Sequence, residues 1–403
     1  MTNSRMIAWF VWFTASIFYA YQYILRVMPN IMLDDIMNKF DIDATIYGQF
    51  SGVYYIGYTL LHLPIGIMLD RFGPRKVMSG CILLSVISLL PLIYADNFIY
   101  PIMGRILLGV GSAAAIMGTF KIIRMTFEEK HFTRMLSFSV TIGLLGAIYG
   151  GAPVSYMNEV LGYKMVIQIF ASLGLLLSFV TYVLVPEIEP EENRGSVLAD
   201  IKLVFANKKV MALCIFAGFM VGPLEGFADV WASVFLKQVY GFDAIQAAYL
   251  PSLFFVGMCF GGPVLSFIAE KTKSYIGVII GAGILMFVVF AMLVAKLLTV
   301  STITIGFTLV GVACAYQILA IYKASTYVPD HVAGLTTAVS NMIIMSFGYF
   351  FHTIIGLIID NFGGAQSKEA FVFGVSIIPI TLAFGVVGFI MIAFHDNKAI
   401  GKK

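Results

Sequence analysis

Residues 50–76 read FSGVYYIGYTLLHLPIGIMLDRFGPRK, a long, mainly apolar stretch that ends abruptly at Asp70-Arg71, Gly73 and the pair Arg75-Lys76. A run of about 20 such residues is what a helix needs to cross the hydrocarbon core of a bilayer. The pattern returns further along the chain. Phe50 to Arg71 aligns without a gap on Leu250 to Lys271 (LPSLFFVGMCFGGPVLSFIAEK), so that Gly57 meets Gly257 and Asp70-Arg71 meets Glu270-Lys271. A second pair of stretches, Gly109 to Lys121 and Gly311 to Lys323, repeats one glycine-to-lysine step. A repeat of this period implies two homologous halves.

The rest of the chain follows the same rule. Of 403 residues, 60% are apolar or aromatic and 12% charged, against roughly a quarter charged in an ordinary soluble domain. A water-soluble fold is excluded, and the expectation is an all-α membrane protein. Apolar runs between polar breaks predict twelve spans. In the first half they lie at roughly 6–32, 46–69, 77–95, 98–124, 135–157 and 165–185. In the second half they lie at roughly 210–236, 246–268, 275–297, 302–326, 335–358 and 370–393. The expected organisation is an N-terminal six-helix bundle over 1–185, a linker over 186–209 with a surface-lying segment, and a C-terminal six-helix bundle over 210–403. The linker is the most polar stretch, with Glu187, Glu189, Glu191, Glu192 and Arg194 crowded together.

Charge placement sets the orientation. With the N-terminus in the cytoplasm, sixteen of the 25 Lys and Arg residues fall on the cytoplasmic side and five outside, the asymmetry expected of an inner-membrane protein with both termini inside. The remaining four, Arg26, Arg105, Lys121 and Lys323, fall within spans. A net charge of +3 with no basic stripe excludes nucleic-acid binding. The four cysteines sit in apolar runs without metal-ligand spacing, so neither a metal nor a cofactor is expected. Arg5 precedes an apolar segment with no small-residue cleavage site, which reads as a retained first span rather than a signal peptide.

Gly66-Ile-Met-Leu-Asp70-Arg71-Phe-Gly73-Pro-Arg75-Lys76 closely resembles the signature loop of the major facilitator superfamily. Arg105-x-x-x-Gly109-x-Gly111 in the fourth span resembles that family's second signature. The resemblance covers the whole chain through the span count, the repeat and these motifs. It implies two parallel six-helix halves that rock about a midplane site, and a secondary transporter working by alternating access. The first motif then acts as a gate, its acid pairing with arginines and a neighbouring helix N-terminus. Gly143, Gly146, Gly150, Gly151 and Pro153 in the fifth span resemble the glycine-rich motif frequent in exporters. Close helix packing explains the same run.

A charge at the bilayer centre costs about 2.5–3.5 kcal/mol or more, so the buried charges point to the site. Tyr19, Gln22, Tyr23, Arg26 and Asn30 share one helical face of span one, as a cavity lining would. Lys121 and Lys323 occupy equivalent repeat positions, and with Arg26 they suit an anionic group. Tyr54 and Tyr316 are further cavity candidates. The arrangement resembles the organic anion branch of the superfamily, although span seven carries Glu225 and Asp229 where the phosphate transporters of that branch use an arginine. Arg26 and both lysines have an alternative role, snorkelling to the interface. Glu225 and Asp229 lie four apart after Gly222-Pro223. An embedded carboxylate can take up a proton on one side and release it on the other, bind a substrate ammonium, or form a structural ion pair. His62 and His352 are candidate proton relays or packing residues.

The expectation is a monomeric, proton-coupled symporter for a small carboxylate-bearing metabolite: an amino acid, short peptide or organic acid. An exporter of drugs or siderophores is the alternative transporter, and a non-transporting receptor or scaffold the alternative of another class. No reactive constellation suggests an enzyme.

Overall fold

The computed structural model describes residues 2–128, 132–187 and 197–400. Residues 129–131 with Lys130, 188–196 with Glu189, Glu191, Glu192 and Arg194, and the terminal Lys402 and Lys403 lie outside the described residues. So do the side chains of Arg5, Asp70, Arg134 and Lys398. The described residues are mainly helical, with no strand among them.

Among the described residues, eleven helices are long and apolar enough to cross a bilayer. The twelfth is the first in sequence, Thr2–Ile31 (span one), a 30-residue helix whose Tyr, Gln, Arg and Asn residues lower its mean hydropathy. Spans two to four are Ala44–Leu69, Arg71–Tyr94 and Ile99–Thr126. Span five is Phe132–Tyr149 continued by Ala152–Leu161, and span six is Tyr163–Leu184. Spans seven to ten are Lys208–Tyr240, Ala244–Thr272, Tyr275–Val294 and Val300–Ser325. Spans eleven and twelve are Asp330–Asn361 and Lys368–Ile400. The architecture is the expected one: an all-α membrane protein of twelve transmembrane helices in two six-helix bundles.

Among the described residues, two short helices lie between spans. Leu33–Phe40 follows span one, and its Lys39 amine donates to the Leu92 and Ile93 carbonyls at 2.8 and 2.9 Å, a cation satisfying the last carbonyls of span three. Val197–Ala206 precedes span seven.

The chain divides into two compact units, Met1–Ile42 with Gln49–Arg194, and Asp43–Gly48 with Gly195–Lys403. Residues 43–48 group with the second because Asp360 of span eleven accepts from the backbone N–H of Ala44, at 3.2 Å, and of Thr45.

Within each unit the repeat is built by the same close contacts. A Cβ on Gly57 would strike the Ile106 carbonyl oxygen, and one on Gly109 that of Tyr54, so spans two and four touch backbone to backbone. In the second unit a Cβ on Gly257 would strike the Thr308 carbonyl oxygen, and one on Gly311 that of Phe254. With no hydrophobic force to press helices together in lipid, such small-residue approaches and hydrogen bonds do the packing. Span five meets span one in this way. Gly143 lies under the Tyr19 ring and Gly146 against the Ala20 carbonyl, while Trp12 Nε1 and Ser16 share the Ser139 hydroxyl at 2.8 Å each. This packing accounts for Gly143 and Gly146.

Candidate functional site

One residue breaks the helical path of Ala44–Tyr94. Gly73 adopts φ 76° and ψ 160°, a left-handed conformation that a side chain would strain. The turn brings Arg75 and Lys76 to Glu187 beyond span six, with Lys76 Nζ 2.5 Å and Arg75 3.7 Å from the carboxylate. The Arg75 guanidinium also lies 4.4 Å from the centre of the Tyr182 ring. The hydrogen bond from Lys76, then its charge, holds the exposed Glu187 carboxyl below its usual range. A Cβ added at Gly66 would come within 3.0 Å of the Met117 methyl, and Arg71 is exposed. Glu187 was legible only as part of a polar linker.

Arg26 is 6% exposed and sits in a tyrosine box, its guanidinium carbon 5.1 Å from the Tyr23 ring centre and 5.5 Å from that of Tyr55. Tyr19 meets Tyr23 edge to face at 5.2 Å. Gln22 accepts a 3.1 Å hydrogen bond from the Tyr54 hydroxyl. From Tyr54 the aromatic row continues along span two, through Tyr58 at 6.1 Å, stacked, to His62 at 5.0 Å. The structure thus gathers Tyr19, Gln22, Tyr23 and Arg26 as their spacing requires, and adds Tyr55 and Tyr58.

The backbone carrying Arg26 is held by Arg105. Pro29 has no N–H, so the Leu25 carbonyl four residues earlier loses its helical donor. The Arg105 guanidinium donates to the Leu25 oxygen at 3.0 Å and to the Arg26 oxygen at 2.8 Å, with Tyr54 against its face at 5.1 Å. Gly109, one turn along span four, permits this approach of spans two and four. Lys121 lies half-buried beyond it, near the end of the same span.

In the second unit, Glu225 and Asp229 are buried, at 2% and 0% exposure, in a π-helical stretch of span seven, Gly222–Trp231. His352 Nε2 donates to the Glu225 backbone oxygen at 2.5 Å. The Tyr316 hydroxyl is committed to the Ala217 carbonyl at 2.6 Å. Lys323 lies away from this group, in the last turn of span ten. Its amine is 3.6 Å from Asp396, which also pairs with Lys209 at 3.1 Å and accepts from the Tyr327 hydroxyl at 2.5 Å. Burial, then the Asp396 hydrogen bond and charge, push the Tyr327 phenol above its usual range. Asp396 has no counterpart in the sequence motifs and was missed.

Two six-helix halves with charged side chains embedded in each define a secondary transporter. The Major Facilitator Superfamily profile matches residues 11–353, and the chain belongs to that superfamily. It is 23% identical to the uncharacterized transporter YybO of Bacillus subtilis (strain 168), over 92% of this chain and 88% of that one. It is 22% identical to the probable galactarate/D-glucarate transporter GudP of the same organism, over 66% and 67%. Its fold is similar to a solved structure of the nucleoside transporter NupG, with a TM-score of 0.77 and 14% identity over 95% of this chain and 99% of that one.

Proposed function

We propose that this chain is a proton-coupled importer of a small carboxylate-bearing metabolite, an organic acid of the sugar-acid kind. The observation that carries this reading is the buried Arg26 in its tyrosine box. A guanidinium takes a carboxylate through two parallel hydrogen bonds, while phenol hydroxyls donate to and accept from the hydroxyls of the same molecule. The relative GudP is named for galactarate and D-glucarate, polyhydroxylated dicarboxylates of the chemistry such a site would take. Lys121 is the second cation proposed for the anion, whereas Lys323 serves Asp396.

Glu225 and Asp229 are the proposed proton carriers. They are the buried acids of span seven, and a carboxylate crossing between neutral and charged forms is the simplest device for coupling. Both termini are proposed to face the cytoplasm of a bacterial inner membrane, and the working unit to be a monomer.

The test is calorimetric titration of the purified protein with galactarate, glucarate, alanine and dialanine. Binding of the sugar acids that disappears in Arg26→Ala supports the reading. Binding of alanine or dialanine alone, or undiminished sugar-acid binding in Arg26→Ala, overturns it.

A further inference from the structure

Span seven leaves α geometry where its carboxylates begin. Regular turns run through Lys208–Gly218. The Val221 N–H, which would reach Ala217 in a continued helix, turns to Gly218 at 3.2 Å, and the Met220 N–H takes Ala217 at 3.0 Å. Pro223 then offers no N–H at all. From Gly222 to Trp231 the turns are π, and after four α residues they are π again from Leu236 to Tyr240. π turns are rare, usually single, and concentrated at functional positions. A run of this length needs support from outside the helix.

Three side chains of the second unit supply it. Span ten is also broken, between Val300–Cys314 and Tyr316–Ser325. The first residue after that break, Tyr316, places its hydroxyl on the Ala217 carbonyl, where the regular turns of span seven stop. His352 reaches from span eleven to the Glu225 carbonyl inside the π stretch. A carbonyl only accepts, so the imidazole carries its proton on Nε2. Beside it the Phe351 side chain fills the notches at Gly222 and Gly226, where an added Cβ would come within 2.7 Å of its ring and of its Cβ respectively. The carboxylates are thus carried on backbone gripped at Ala217 and at Glu225.

We propose that Tyr316 and His352 are positioning residues that fix the π register of span seven, and with it the direction in which Glu225 and Asp229 point. Converting one π turn to α shifts every later residue by one place, about 100° around the axis, which turns both carboxylates away together. This assigns His352 to a backbone contact rather than to proton relay, and Tyr316 to span seven rather than to substrate. It rests on the proton role proposed above for Glu225 and Asp229.

The test compares Tyr316→Phe, which removes one hydroxyl, His352→Leu, and His352→Gln, whose amide can donate from the Nε2 position, with Glu225→Gln and Asp229→Asn. In proteoliposomes, Tyr316→Phe and His352→Leu should keep galactarate exchange within about twofold yet lose at least about tenfold in accumulation driven by a proton gradient. His352→Gln should restore it. Amide exchange of residues 218–231, read by mass spectrometry without substrate, should rise in the first two variants and not in His352→Gln. Normal accumulation and unchanged amide exchange in Tyr316→Phe and His352→Leu overturn the proposal. So does a His352→Gln protein that is folded and as uncoupled as His352→Leu. Normal accumulation in both Glu225→Gln and Asp229→Asn overturns instead the proton reading beneath it.

Discussion

Arg105 on span four supplies the donor that Pro29 removes from span one. The Leu25 carbonyl, four residues before the proline, is met at 3.0 Å by the guanidinium, which also takes the Arg26 carbonyl at 2.8 Å. A lipid-embedded helix cannot leave a carbonyl bare without a cost of several kcal/mol. The donor missing at Pro29 and the buried Arg105 are therefore one feature, and Arg26 is held beside it.

Arg105→Ala should destabilise the protein by about 1–3 kcal/mol through the orphaned acceptor and weaken substrate binding about tenfold or more. Adding Pro29→Ala restores a backbone N–H for Leu25, so the double variant should be more stable than Arg105→Ala alone. Thermal unfolding of the four proteins in the cycle measures this, and additive losses would speak against the pairing.

Alanine at Gly57, Gly109, Gly257 or Gly311 should cost about 1–3 kcal/mol each by overpacking, with losses matched between the halves. Gly80→Ala is the control, since a Cβ there has open space, and it should be neutral or slightly stabilising in a helix interior. Unfolding midpoints in detergent test the pattern. A benign Gly257→Ala beside a damaging Gly57→Ala would break the equivalence of the halves.

Lys323→Met should leave substrate affinity within about twofold, because its amine serves Asp396, while lowering stability modestly, as a partly exposed pair does. Asp396→Asn should reproduce that effect. Loss of binding in Lys323→Met, measured by calorimetry, would return the lysine to the substrate site.

The Glu187 carboxyl is depressed below its ordinary value of 4.5 by Lys76. A depressed acid stabilises the folded state above its unfolded value and ceases to do so as pH falls through the folded one. Stability should therefore decline from about pH 4.5 downward, and the decline should be shallower in Glu187→Gln. The contribution is small because the pair is exposed. Identical acid profiles would show that Lys76 does not hold Glu187.

Much of this was legible in the sequence. The Gly57 and Gly257 alignment marked the repeat because backbone contact tolerates no side chain at either place. The face from Tyr19 to Asn30 followed from helical spacing alone. What stayed hidden depends on tertiary partners. No periodicity says that Arg105 answers Pro29, that Tyr316 spends its hydroxyl on Ala217, or that Asp396 claims Lys323. The π turns of span seven were equally invisible. Gly222-Pro223 signalled only a loosened helix, and side chains of spans ten and eleven determine how it is loosened.

The proposed activity moves a carboxylate and a proton together through this protein. Uptake of labelled galactarate into proteoliposomes, with and without an inward proton gradient, tests it most directly when wild type, Arg26→Ala and Glu225→Gln are compared. The expected result is accumulation above equilibrium only with the gradient, abolished in Arg26→Ala and reduced to gradient-independent exchange in Glu225→Gln. Uptake indifferent to the gradient in the wild type would rule out proton coupling, and undiminished uptake in Arg26→Ala would rule out Arg26 as the carboxylate's partner.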